Sequence, residues 1–261
     1  MNDRAVVTHD VDPAEVHDAV EHDVISFHVD AVVVDIDDTL YLERDYVRSG
    51  FDAVGRWAGP QLGIDDFGAR AWESFEAGTR GRIFDEVLAT SGQGPHDAVI
   101  TEMVARYRTH SPSIALTDDA QAALERWTGS VALAAVTDGP LSSQQAKVKA
   151  LALDRWVPLV VFTAALGHGK GKPDTAAFEL VQAQLGVDGN RCVYIADNPA
   201  KDFVAPNKLG WRTVRVRRPL SLHAGIASGA DVDQEITSLD QLDVRPASGD
   251  GSPAHRPFGA S

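Results

Sequence analysis

An unbroken apolar run, Ala31-Val-Val-Val34, leads directly into three aspartates within the next four positions. Runs of β-branched residues without polar alternation are typical of strands that are buried on both faces of a sheet. The chain is then expected to leave the sheet at Asp37-Asp38-Thr39, since aspartate and threonine are common turn formers. The run therefore predicts a strand of a covered sheet with carboxylates at its carboxyl end.

From Pro112 onward, predicted strands and helices alternate along the chain, as they do in α/β proteins. The predicted helices cover residues 118–127, 142–150, 175–185 and 203–208. The predicted strands cover residues 131–136, 159–162, 192–196 and 213–216. One last short element and a helix are expected between residues 230 and 242. This order predicts an α/β fold with a Rossmann-like, mostly parallel sheet covered by helices.

The segment between Tyr41 and Ser111 differs, because its apolar residues recur at helical spacing between glycine-rich breaks. The stripe consists of Trp57, Trp72, Phe75, Phe84, Val87, Leu88, Val99, Met103 and Tyr107. A small helical domain inserted into the α/β fold is the simplest interpretation. The expected organisation is a polar extension (1–23), an α/β core (24–42 and 112–244), a helical insertion (43–111) and a disordered tail (245–261).

Charge and cysteine content limit the partners and the compartment. A formal net charge of −14 argues against nucleic acid or an anionic membrane as a partner, because these are bound largely by Lys and Arg. The small basic cluster of Arg215, Arg217 and Arg218 is expected to be an exposed strand end.

A single cysteine, Cys192, excludes a disulfide framework, and no signal peptide is recognisable. A cytoplasmic protein is therefore expected, either a monomer or a homodimer.

Polar residues follow the predicted strands or lie in the loops beside them. They are Asp35 and Asp37, Thr137, Lys172, and Asp197 with Asp202. Ligands of open α/β sheets bind at these carboxyl ends, where several carboxylates would crowd together and repel each other. A bound cation would relieve that repulsion, and ligands that are all oxygen atoms suit Mg²⁺. The lysine and the threonine would complete a cradle for an anion.

Such a site favours transfer of a phosphoryl group to a carboxylate. The cation and Lys172 would reduce the repulsion between phosphate and Asp35, which makes Asp35 the candidate nucleophile. Asp37, two residues on, is the candidate general acid that protonates the leaving alkoxide and later activates a water. Asp37 would then have to carry a proton when the substrate binds.

Four segments resemble the four motifs of haloacid dehalogenase superfamily hydrolases. They are Asp35-Ile-Asp-Asp-Thr-Leu40, Val136-Thr-Asp-Gly139, Gly171-Lys-Pro-Asp174 and Ile195-Ala-Asp-Asn-Pro-Ala-Lys-Asp202. The resemblance, over residues 30 to 242, implies a phosphatase that uses Mg²⁺ and an aspartyl-phosphate intermediate. It also implies that the inserted helices form a cap of the C1 type over the site, which would exclude bulk water.

The resemblance implies a role for each motif residue. Asp35 would be the nucleophile and Asp37 the acid and base. The metal would be held by Asp35, the backbone carbonyl of Asp37, Asp197 and Asp202. Because dehalogenase members lack the second aspartate of the first motif, Asp37 favours a phosphatase over carbon–halogen cleavage.

The phosphate of the substrate would be bound by residues of the second and third motifs, namely Thr137, Asp138, Gly139 and Lys172. Asp138 stands where asparagine is frequent in the family, and Ala196 stands where glycine is usual. These departures affect the fine phosphate contacts. The stretch from Asp197 to Arg218 also resembles hydrolases of polysaccharide and nucleotide-sugar genes, which suggests a sugar phosphate or nucleotide as the small phosphorylated substrate.

Arg80, Arg82 and His168 are candidates for substrate contacts, with solvated loops as the alternative interpretation. Three other functions fit parts of the pattern. A phosphomutase would use the same nucleophile and return the phosphate to a bound intermediate. A signalling receiver module is much shorter and lacks the inserted helices, and a binding protein without activity would be expected to have lost a motif residue.

Overall fold

The computed structural model describes residues 24–92, Gly94 and residues 96–247. Its centre is a six-stranded parallel sheet with the spatial order β4-β3-β2-β5-β6-β7. The strands are β2 (Ala31–Val34), β3 (Ala132–Thr137), β4 (Leu159–Phe162), β5 (Cys192–Ala196), β6 (Arg212–Val216) and β7 (Gln234–Ile236). The predicted α/β fold with a parallel sheet is confirmed.

The apolar run that opens the domain is buried on both faces, as predicted. Val32 and Val34 pack into the core on one face, and Ala31 and Val33 pack into the core on the other. The helices that cover the sheet are α5 (Asp118–Trp127), α6 (Leu141–Ala150), α7 (Ala176–Leu185) and α8 (Val204–Lys208). Alternating side chains of one strand therefore connect two hydrophobic cores.

The order of the strands decides where a ligand can bind. From β2 the chain passes to β3 and β4 on one side, and β5 and β6 then extend the sheet on the other side. Val34 at the end of β2 lies level with Ala135 of β3 and Ile195 of β5. The carboxyl ends of these strands meet at the point where the strand order reverses, which is where open α/β sheets bind ligands.

Four helices lie between β2 and α5 in the described part of the chain: α1 (Glu43–Leu62), α2 (Phe67–Glu76), α3 (Ile83–Thr90) and α4 (Asp97–Thr109). They share a hydrophobic core of their own around Phe51, Phe67 and Met103. A Cβ atom on Gly68 would lie 3.0 Å from the carbonyl oxygen of Phe51, so the crossing of α1 and α2 favours glycine there. That residues 43–111 form a separate inserted domain stays a prediction.

Two strands were not predicted from the sequence. They are β1 (Ile25–His28) and β8 (Leu242–Arg245), which pair in parallel as a two-stranded sheet. Arg245 closes β8, and the N–H of Ala247 donates to Asp30 Oδ1 over 3.2 Å. The predicted start of the tail at residue 245 is therefore too early. The predictions for residues 1–23 and 248–261 lie outside the described residues. Among the helices of the described residues, none is long and apolar enough to cross a membrane.

Candidate active site

The centre of the candidate site is a buried ion pair at the end of β2. Asp35 continues the backbone hydrogen bonding of β2, since its N–H donates to the carbonyl of Ile195 over 2.9 Å. Its Oδ1 accepts a hydrogen bond of 2.7 Å from Lys172 Nζ. The same ammonium group lies 2.8 Å from Asp202 Oδ1 and donates to the hydroxyl of Tyr194 over 3.1 Å. The buried lysine of the third motif thus contacts residues of the first motif, the fourth motif and β5.

The charges at this centre perturb one another strongly. Burial raises the pKa of Asp35 to about 7, and the nearby carboxylates of Asp202 and Asp37 act in the same direction. Burial and the charge of Asp35 also raise the pKa of Asp197 to about 9. Burial opposes the charge of Lys172, but its attraction to Asp202 and Asp35 outweighs this and raises its pKa well above the usual value. The carboxylates exceed the cations that could balance them.

The residues at this centre fit a divalent cation. One carboxylate oxygen each of Asp35, Asp197 and Asp202 lies within 4.8 Å of the others. All three residues are buried, and Asp202 Oδ1 has an ion pair with Lys172 but no aligned hydrogen bond. A ligand set of oxygen atoms alone is the set that Mg²⁺ prefers. A cation bound there would offset the repulsion between the carboxylates.

The carboxylate of Asp37 points away from this group, towards α6. Its Oδ1 accepts hydrogen bonds from the hydroxyl of Tyr41 and, over 2.6 Å, from Lys147 Nζ. Its Oδ2 accepts a hydrogen bond of 3.1 Å from Gln144 Nε2. Three donors therefore hold a carboxyl group for which the sequence predicted a role in proton transfer.

The residues predicted to bind phosphate lie around the loop after β3. The Thr137 hydroxyl donates to Gln144 Oε1 over 3.1 Å. The carboxylate of Asp138 accepts hydrogen bonds from the hydroxyl of Thr163 at 2.6 Å, from Lys172 N–H at 3.2 Å and from Lys201 Nζ at 3.0 Å. The aspartate that replaces the frequent asparagine thus fastens the loop that carries the lysine.

Gly139 occupies a position that favours glycine. Its φ of 133° is a conformation that residues with a Cβ atom avoid. A Cβ atom would also lie 2.6 Å from Gln144 Nε2. The close approach of this backbone to Gln144 explains the glycine of the second motif without any contact to a ligand.

Several residues that contact the site were not predicted to do so, and besides those of α6 they lie on β6 and the segment that follows it. The Ser221 hydroxyl lies 3.4 Å from Asp197 Oδ2, and the N–H of Leu222 donates to Asp38 Oδ2 over 2.7 Å. The Arg215 guanidinium donates to the carbonyl of Asp197 over 2.9 Å, and Arg218 donates twice to the carbonyl of Thr39.

Arg215 and Arg218 are buried, so the prediction that the basic cluster is an exposed strand end is wrong for these two residues. Each guanidinium donates to backbone carbonyls outside the strands, Arg215 to that of Asp197 and Arg218 to that of Thr39. Arg217 is partly exposed and pairs with Glu235 over 3.2 Å. A cluster of basic residues in a sequence therefore does not show whether an arginine is exposed to solvent or buried against the backbone of a loop.

None of the contacts described for Arg80, Arg82 and His168, the three candidates for substrate binding, is with a residue of the buried cluster. The Arg80 guanidinium donates to the carbonyls of Phe75 and Thr79, and Arg82 lies 3.7 Å from Asp85. His168 is exposed. Substrate contact by these residues stays a prediction.

Comparisons with known proteins show which family the chain resembles. A family model described as haloacid dehalogenase-like hydrolase matches residues 29–210. The chain is 30% identical over 177 residues to a phosphoserine phosphatase of Thermus thermophilus, an alignment that covers 67% of this chain and 62% of that protein. It is 26% identical over 204 residues to a glyceraldehyde 3-phosphate phosphatase of Methanopyrus kandleri, which covers 73% and 84% of the two chains. The chain spans less than two thirds of the Thermus protein.

Solved structures show the same fold at low identity. The HAD-hydrolase YfnB from Bacillus subtilis, bound to magnesium, superimposes with a TM-score of 0.58 at 17% identity, covering 82% of this chain and 97% of that one. A HAD family hydrolase from Deinococcus radiodurans, with bound phosphate and sodium, gives a TM-score of 0.56 at 19% identity, covering 82% and 93%. These similarities confirm the predicted Rossmann-like architecture.

Proposed function

The chain belongs to the haloacid dehalogenase-like hydrolases, and from this premise we propose that it is a Mg²⁺-dependent phosphatase of small phosphomonoesters. The family that the four motifs resemble is confirmed by the match over residues 29–210. The observation that carries the proposal is the buried carboxylate of Asp35, 2.7 Å from Lys172 Nζ and grouped with Asp197 and Asp202. The names of the two phosphatases among the relatives support it.

In the first step, a carboxylate oxygen of Asp35 attacks the phosphorus atom of the ester. The new O–P bond forms as the bond from phosphorus to the leaving oxygen breaks, and Asp37 gives its proton to that oxygen. The ammonium group of Lys172, already within hydrogen-bond distance of Asp35, would balance the negative charge of the phosphoryl oxygens. The product is an alcohol and an aspartyl-phosphate on Asp35.

In the second step, water attacks the phosphorus atom and the bond to Asp35 breaks. Asp37, now a carboxylate, takes a proton from the water, and inorganic phosphate leaves. Both steps use the same two aspartates in opposite senses, so the enzyme returns to its starting state. Thr137, the last residue of β3, would redirect its hydroxyl hydrogen from Gln144 Oε1 to a phosphoryl oxygen when the substrate binds.

The cation would be held by side-chain oxygens of Asp35, Asp197 and Asp202, with the backbone carbonyl of Asp37 as a further ligand. When bound, Mg²⁺ supplies positive charge that lowers the repulsion between the phosphate and the carboxylates. Asp202 also pairs with Lys172, so this aspartate connects the cation site with the phosphate site.

We further propose that residues 43–111 form a cap of the C1 type that encloses the substrate. Their separate hydrophobic core supports this assignment, because a cap must stay folded while it moves relative to the sheet. A lid of this kind would exclude bulk water from the aspartyl-phosphate. A sugar phosphate or a nucleotide is the proposed substrate class.

The test is phosphate release from sugar phosphates, nucleotides, phosphoserine and p-nitrophenyl phosphate, with Mg²⁺ and with a chelator. We expect release that requires Mg²⁺ in the wild type and in Asp154→Asn, an exposed aspartate chosen as the control. Asp35→Asn should lower kcat by at least about 10³-fold, because the amide is a poor nucleophile. A phosphorylated product in place of inorganic phosphate would favour a phosphomutase. No turnover of any ester would contradict the proposal.

A further inference from the structure

Helix α6 turns polar side chains into the protein interior. Its buried residues are Ser143, Gln144 and Lys147, whereas the neighbouring Gln145 and Lys149 are exposed. A lysine is almost never fully buried unless it has a partner, and burying a polar face costs free energy. A helix that covers a sheet would normally present apolar residues there, so this face calls for an explanation beyond packing.

Lys147 is directed at Asp37. Its side chain is 3% exposed, and its Nζ lies 2.6 Å from Asp37 Oδ1. The ammonium group also lies 4.3 Å from the centre of the Tyr46 ring, a cation–π distance. Because α1 supplies Tyr46 and α6 supplies Lys147, two separate helices fix where this ammonium group can be.

Gln144, one helical turn earlier on the same face, joins three groups of the site. Its Nε2 donates to Asp37 Oδ2 over 3.1 Å and to the carbonyl of Asp138 over 2.7 Å. Its Oε1 accepts the hydroxyl of Thr137 over 3.1 Å. Both donor positions of the amide and one lone pair of its oxygen are in use, so its orientation is determined by its partners.

We propose that Gln144 and Lys147 are the positioning residues of Asp37, and that they aim its carboxyl group at the leaving oxygen of the substrate. The inference rests on the proposed phosphatase function. The two residues are at positions i and i+3 of α6, so their side chains lie on one face of the helix. A carboxyl group held on both oxygens has little rotational freedom left to lose when proton transfer begins.

The two residues also fix the position of the proton donor relative to the part of the site that is proposed to bind phosphate. Gln144 contacts both Asp37 and Thr137, so in the free enzyme the proton donor and the hydroxyl proposed to bind phosphate are held beside one another. A substrate bound through its phosphoryl group would then present its leaving oxygen at one place relative to Asp37. Misplacement by about 1 Å can cost on the order of 10²-fold in rate.

The test compares two esters of similar size but different leaving groups, p-nitrophenyl phosphate and benzyl phosphate, with Mg²⁺ present. The nitrophenolate leaves without much protonation, whereas the benzyl alkoxide requires a proton in the first step. We expect Lys147→Met and Gln144→Met to lower kcat/KM for benzyl phosphate by about 30-fold or more, and for p-nitrophenyl phosphate by about 3-fold or less. Lys149→Met and Gln145→Met, on the exposed face of the same helix, should change neither.

The ratio of the two losses is the decisive quantity, because general damage to the site would slow both esters equally. Equal losses for the two esters in folded Lys147→Met and Gln144→Met, or no loss in either, would overturn the inference while leaving the phosphatase function intact. If one variant does not fold, as judged by thermal unfolding, the other decides. Failure of the wild type to hydrolyse these two esters and every ester of the first panel would overturn the proposed function and this inference with it.

Discussion

Gly139 shows how closely the chain must approach the side chains that organise the site. Its φ of 133° leaves only glycine without strain, and Gln144 Nε2 occupies the space where a Cβ atom would lie. The amide cannot easily move away, since it is held by Thr137, Asp37 and Asp138. The backbone conformation at this residue and the orientation of Asp37 are therefore linked through one side chain.

Gly139→Ala should reduce stability and activity together. Backbone strain of this kind costs about 1–3 kcal/mol, and displacement of Gln144 would disturb Asp37 as well. Gly129→Ala is the control, because Gly129 also has a positive φ, of 79°, but no atom lies within 4 Å of its Cβ position. Urea unfolding and phosphate release measure the two effects. Loss of stability without any loss of kcat would contradict the link to Asp37.

At the scale of whole elements, the sequence predicted well what is determined locally. The strands at residues 159–162 and 192–196 and the helix at residues 118–127 have the predicted bounds, because each has a clear apolar pattern of its own. The grouping of Asp35, Lys172, Asp197 and Asp202 was also predicted from their positions after strands. All four lie at the carboxyl end of the sheet as expected.

What could not be predicted depends on contacts between distant parts of the chain. Strands β1 and β8 are four residues long, and the partners of Ile25 and His28 are Leu242 and Arg245. The helix predicted over residues 142–150 is present, but its sequence does not reveal that Gln144 and Lys147 face inward. Polar residues on a surface helix normally face solvent, and hydrogen bonds to Asp37, Thr137 and Asp138 offset the cost of burial here.

The start of α5 is connected to the end of the sheet by a group of hydrogen bonds to Asp119. Its carboxylate accepts from Arg218 at 2.9 Å and from the N–H of Leu239 at 2.8 Å. Partial burial opposes its charge, but hydrogen bonds from Thr117, Leu239 and Arg218 outweigh burial and lower the pKa of Asp119. Arg218 in turn binds the carbonyl of Thr39, beside the first motif. One aspartate thus supports a loop of the site from outside.

Asp119→Asn should destabilise the protein in a way that depends on pH. A folded-state pKa below the usual value of 3.8 means that the carboxylate stabilises the fold fully above pH 3.8. This contribution is lost as the pH falls through the lowered pKa. We expect a loss of about 1–3 kcal/mol at pH 7 that shrinks below pH 4, measured by urea unfolding. Asp118→Asn, the exposed neighbour, should show neither effect, and a loss that grows on acidification would contradict the assignment.

At the scale of the whole molecule, the fold is stable although the charges at the carboxyl end of its sheet oppose folding. Two hydrophobic cores on either side of the sheet and a third among α1–α4 stabilise the fold, while Asp35, Asp197 and Asp202 are buried close together. Burying carboxylates and bringing them together both oppose folding. The net charge of −14 adds a general repulsion that a cation would also reduce. Stability of the whole chain and occupancy of this site are therefore expected to be coupled.

Asp197→Asn tests this coupling, because it should have opposite effects with and without Mg²⁺. In the presence of a chelator, the variant should be more stable than the wild type by about 1–3 kcal/mol, since one buried carboxylate is removed from the group. Mg²⁺ at a hundredfold excess over its Kd should stabilise the wild type by about 2.7 kcal/mol and the variant by much less. Asp154→Asn, on the surface, should behave as the wild type in both conditions. Thermal unfolding with a Mg²⁺ titration measures all three proteins, and an equal response of Asp197→Asn and the wild type to Mg²⁺ would show that this carboxylate does not bind the cation.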